Sequence, residues 1–182
     1  ATVDVAHGNV ITATLADAEV DATALNALHA ALTLTVAASV ATVTSAAADL
    51  TPTTAAEMVS ALALTGGDAA ATVVEADASV VAITVAQANN IAGATSGIVT
   101  ASVSETTASA LATVDVAHGN VITATLADAS VDAGDLNALQ AALTLTVDAA
   151  VVTVTSYGSD LTRDTAVEMT DALALTDNAE AI

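Results

Sequence analysis

The sequence predicts a repeat solenoid, in which turns of about 22 residues, each a short parallel strand plus a short helix or loop, stack into a continuous column. Three observations predict it. Residues 1–71 align without gaps to residues 112–182, with 51 of 71 pairs identical and the first eighteen unbroken. Hydrophobic residues make up 54% of the chain, yet Tyr157 is its one aromatic residue. Aromatic side chains fill large cores, so a core of Ala, Val, Leu and Ile needs thin layers. Short alternating segments then recur between helical fragments, and no such unit can bury its apolar face alone. Tandem β-sandwich-like repeats are the alternative, because closely spaced strands also read as hairpins.

The elements follow in order. In ITATL, Ile11, Ala13 and Leu15 point one way and Thr12 and Thr14 the other, the period of a strand. LTLTV at 32–36 repeats the pattern, with Thr33 and Thr35 outward. Further strands are expected at 42–45, 83–85 and 98–103. A helix is expected over 20–32: Asp21 is a natural N-cap, and Leu25, Leu28 and Leu32 fall on one face. A second begins near Pro52 and carries Met58 and Leu62 four residues apart. TVAQANNIAGA and TTASALA read as shorter helices.

The duplication acts as a mutational experiment. Val10, Ile11, Leu15, Val20, Leu25, Leu28, Leu34, Met58 and Leu62 all match their partners. The changes fall on small or polar positions: Glu19 against Ser130, Ala24 against Asp135, His29 against Gln140, Pro52 against Arg163. Packing holds buried positions and lets surface ones drift, so the repeat preserves a core. The organisation expected is one continuous array over 1–182, with 1–71 and 112–182 as copies and 72–111 as intervening turns.

Twenty-one acids stand against one base, Arg163, for a formal charge of −20. No nucleic-acid partner is expected, and anionic membrane faces are poor partners, because there is no basic patch to release counterions. Such a chain suits salty or calcium-rich surroundings, where its self-repulsion is screened. The uncharged stretches at 22–48 and 78–104 are long enough to span a membrane but hold Asn, Gln, His, Thr and Gly and lack basic flanks, so no insertion is expected. No secretory leader is read, and the start at Ala1 without Met suggests a processed product or an excerpt. Zero cysteines exclude disulfides and thiolate metal sites.

The stretch ITVAQANNIAGATSGIVTASVSETTASALATV, followed by ITATLADASVDAGDLNALQAALTLTVDAAVVTVTS, resembles tandem repeats of giant secreted or cell-surface proteins of marine cyanobacteria and other aquatic bacteria. The resemblance implies a secreted or cell-surface structural protein. Calcium repeats accompany such proteins elsewhere, but TGGDAA at 65–70 is an isolated hint, and its copy reads TDNAEA.

Catalytic chemistry is not expected. His7 and His118 share the motif VAHGN without metal-ligand spacing, and His29 is Gln140 in the other copy. No nucleophile elbow or phosphate loop occurs. Asp17/Asp21 and Asp128/Asp132 read as capping carboxylates. Asp128, Asp132 and Asp135 are the calcium candidates; Ala24 opposite Asp135 argues for loosely held calcium rather than a cage. No other metal or cofactor is expected. The sharper alternative is an ice- or ligand-binding face built from Thr12, Thr14, Thr33, Thr35, Thr123, Thr125, Thr144 and Thr146. The primary expectation is an extracellular structural repeat protein, part of a filament, surface layer or adhesin stalk. Its partner is then itself, head to tail or within a longer chain.

Overall fold

The computed structural model describes residues 10–50, 55–74, 82–156, 166–177 and 179–182. Tyr157, His7, Pro52 and Arg163 lie outside them. The first copy gives β1 (Thr12–Leu15), β2 (Glu19–Asp21), α1 (Ala22–Ala31), β3 (Thr33–Val36), β4 (Thr42–Ala46), α2 (Ala56–Leu64) and β5 (Ala70–Val74). The middle segment gives α3 (Val85–Ala92), β6 (Val99–Ser102) and α4 (Ala108–Leu111). The second copy gives β7 (Val121–Leu126), β8 (Ser130–Asp132), α5 (Ala133–Ala142), β9 (Thr144–Val147), β10 (Thr153–Thr155), α6 (Val167–Ala174) and β11 (Glu180–Ala181).

The expected solenoid is corrected. The described residues form a small α/β domain whose strands fall into three sheets, ordered β1-β3, β2-β4-β5-β6-β7-β9 and β8-β10-β11. Two features of the chain displace the uniform turn. Only residues 16–18 separate β1 from β2, too few for a turn, so neighbouring strands enter different sheets. The spacing of paired strands is also uneven: Thr12 faces Thr33, 21 residues on, whereas Thr42 faces Ala70, 28 residues on. The β-sandwich alternative falls too. Each described ladder is parallel, and parallel strands need crossovers, here carrying helices.

Local chemistry explains most elements. Asp21 caps α1 by accepting from the Ala24 N–H at 2.9 Å, and Asp132 caps α5 by accepting from Gly134 at 2.9 Å. The expected strand at 83–85 is corrected: Ile83 forms a lone bridge to Val103, and Val85 opens α3. A capping box explains the change, since the Thr84 hydroxyl accepts from the Gln87 backbone N–H while the Gln87 side-chain Oε1 accepts from the Thr84 backbone N–H at 2.8 Å. That local bonding outcompetes the β preference of Ile-Thr-Val.

One core runs through both copies and the middle segment. It includes Leu25, Met58 and Leu62 from the first copy, Ile83, Ile91, Val99 and Leu111 from the middle, and Ile122, Leu126 and Leu136 from the second. The six-stranded sheet crosses from one copy to the other through β6, with Thr72 opposite Thr100 and Ala101 opposite Ile122.

Candidate functional site

The Thr-x-Thr motifs sort into two kinds. Thr42 and Thr44 on β4, and Thr153 and Thr155 on β10, are half-buried. The hydroxyls of Thr44 and Thr155 point back to the carbonyls of Val20 and Val131. The eight candidate face residues differ. On β1 and β3, Thr12 lies opposite Thr33 and Thr14 opposite Thr35, all exposed. On β7 and β9, Thr123 lies opposite Thr144 and Thr125 opposite Thr146, again all exposed. Adjacent parallel strands lie about 4.8 Å apart, and alternate residues repeat at roughly 6.6 Å along a strand. Each group is therefore a two-by-two patch of hydroxyls and methyls, held by apolar residues on the opposite side: Leu34 and Leu15 in one, Ala124 and Leu126 in the other.

The calcium candidates are not gathered. Asp128 accepts from the Ala108 N–H at 2.6 Å and so anchors α4. Asp132 is occupied by its own helix, and Asp135 is an exposed first-turn residue of α5. Among the described residues no group of three or more His, Asp or Glu is arranged to hold a metal ion. His118 sits in a turn at φ 59° beside Gly119 at φ 77°, and His29 is exposed in the last turn of α1. No helix of the described residues is long and apolar enough to cross a membrane.

What sequence reasoning missed is the set of polar residues that fasten the middle segment to the two copies. On the first copy's side, the Thr95 hydroxyl donates to the Ala69 carbonyl at 2.6 Å, and the Ser96 hydroxyl to Asp68 at 3.0 Å. Gly97 lies so close that a Cβ there would stand 2.6 Å from the Ala69 carbonyl oxygen. On the second copy's side, Asn120 is buried and accepts from the Val99 N–H at 2.8 Å. Asn89 bridges Thr113 and Asp115. The signal available was TGGDAA, whose divergence in the second copy marks a surface with a different neighbour.

Comparison with known proteins gives no counterpart: no family model, curated protein or solved structure matches the chain.

Proposed function

We propose that this protein is a non-catalytic structural unit of an extracellular filament, surface layer or adhesin stalk. The observation that carries the reading is the junction β5-β6-β7. It joins the two copies by parallel backbone pairing within one sheet, rather than as two side-by-side domains. A duplicated unit joined in that way extends a scaffold instead of doubling a site. The acidity fits a salt-rich exterior, where surface carboxylates hold calcium loosely by charge rather than in a cage. The resemblance to giant surface-protein repeats points the same way. Sedimentation and electron microscopy in seawater-like salt test the reading, with chelator as the control for calcium. Elongated assemblies are expected; a monomer at every concentration, with or without calcium, contradicts it.

A second reading has its own observation. The exposed threonines stand in register in both copies, a geometry suited to ordered water on ice or to a repeating polar polymer. Replacing Thr14 and Thr125 with Lys abolishes ice-recrystallisation inhibition if the patches bind ice. Wild-type protein without such inhibition removes that reading.

A further inference from the structure

The two copies carry the same surface, covered in one and, among the described residues, open in the other. In the second copy β7 is paired on both edges, by β9 and by β6. Its equivalent β1 has β3 alone as a partner among the described residues. The ladder shows which groups are left open. The Ile11 and Leu15 carbonyls accept from Thr33 and Ala37, so the Thr12 and Thr14 backbone groups face away from β3. At the matching position of the second copy, the Thr123 carbonyl accepts from the Val103 N–H of the middle segment at 2.9 Å.

The side chains repeat this contrast. Ile122, Leu126, Val131, Leu139 and Leu143 are buried, whereas Ile11, Leu15, Val20, Leu28 and Leu32 are half-buried. Val10 is 85% exposed where Val121 is 47%. The cover in the second copy is β6 and α4: α4 packs on α5, and Leu111, 1% exposed, lines a cleft with Leu139 and Leu143. The polar half of the site is also preformed. Asp128 accepts from Ala108, the first residue of α4, and its counterpart Asp17 stands exposed with no partner among the described residues. Residues 10–18 are identical to 121–129, so the open face keeps the letters that bind the cover. The opposite end does not. Glu180 and Ile182 replace Ala69 and Ala71, both of which are buried in the first copy.

We propose that the β1–α1 face is a docking site for a strand-then-helix segment with the chemistry of residues 98–114, supplied by another polypeptide. The incoming strand alternates apolar and hydroxyl residues and pairs in parallel with β1. Its following helical turn is capped by Asp17 and seats a leucine between Leu28 and Leu32. This deepens the structural reading and rests on it, since it names the partner chemistry of one open edge.

The test titrates the full chain with a synthetic peptide of residues 96–116, followed by anisotropy or calorimetry. Saturable binding of one peptide per chain is expected. Thr12→Pro, which removes an outward N–H without touching the β3 ladder, abolishes it. Asp17→Ala, at an exposed position that leaves the fold intact, weakens it about fivefold through loss of the cap. A peptide carrying Leu111→Asp does not bind. Absence of binding by the wild-type chain overturns the proposal, as does binding that neither variant nor the altered peptide changes. If the chain still forms elongated assemblies while the peptide fails to bind, the docking site alone is refuted. If both fail, the structural reading falls with it.

Discussion

The first and second copies share most of their sequence and differ in what lies against them. The second copy has its β7–α5 face sealed by the middle segment, so Ile122, Leu126 and Leu139 are buried and their counterparts are not. At the other end the advantage reverses. Ala69 and Ala71 are buried under β6, while Glu180, Ala181 and Ile182 are exposed, Ile182 by 73%. Burial therefore follows from neighbours rather than letters. The sequence has diverged to match: small, buried Ala69 and Ala71 where the middle segment adjoins, and larger Glu180 and Ile182 where the face is exposed.

Matched truncations should separate the two copies most strongly. Leu126→Ala empties a fully buried site and should cost about 3 kcal/mol, whereas Leu15→Ala at the half-buried copy should cost about 1 kcal/mol. Denaturant unfolding measures both; equal losses would erase the distinction between the copies.

Gly97→Ala sharpens it from the middle segment's side. The added methyl meets Ala69 backbone, which cannot move aside as a side chain tip would. A loss of about 2 kcal/mol is expected from overpacking. Gly93→Ala, whose Cβ would find its nearest neighbour at 3.4 Å, is the control and should change stability little. A Gly97→Ala protein as stable as the control would mean that β6 does not press on β5 as described.

The capping carboxylates give a smaller contrast. Asp128→Ala removes the acceptor for Ala108 and should cost about 1 kcal/mol, while Asp17→Ala in the isolated chain should be close to neutral. Thermal melts at matched salt separate the two.

The smallest effect concerns backbone strain shared by both copies. Ala55 at φ 49° and Ala166 at φ 44° precede α2 and α6 in the left-handed region, which glycine adopts without steric cost. Ala166→Gly should raise stability by about 0.5 kcal/mol. Ala55→Gly should gain less, because Ala55 is fully buried and loses its methyl contacts.

Much of the local structure was legible in the sequence. Alternation located β1, β3, β4 and β6, and Asp21 with Leu25 and Leu28 located α1. β2, β8 and β11 were not found, since two or three residues such as Glu-Val-Asp show no period. β5 lies in Ala-Ala-Thr-Val-Val, where alanine hides the alternation. The global expectation failed for a related reason. Periodicity shows which face of a strand is apolar but not which sheet the strand enters, and the short link between β1 and β2 divides the strands among three sheets. The outward threonines could be named from their pattern. The clasp of Thr95, Gly97, Asn120 and Asp128 could not, because each partner lies 20 or more residues away.

The middle segment seals one copy's face and, among the described residues, leaves the other's open. Native-state hydrogen exchange, read on the matched peptides 10–15 and 121–126 of the dispersed chain, tests it most directly. The outward amide of Thr12 should exchange on the timescale of local opening, while that of Thr123, paired with β6, should approach the protection of the global fold. Equal protection in the two peptides would contradict the account.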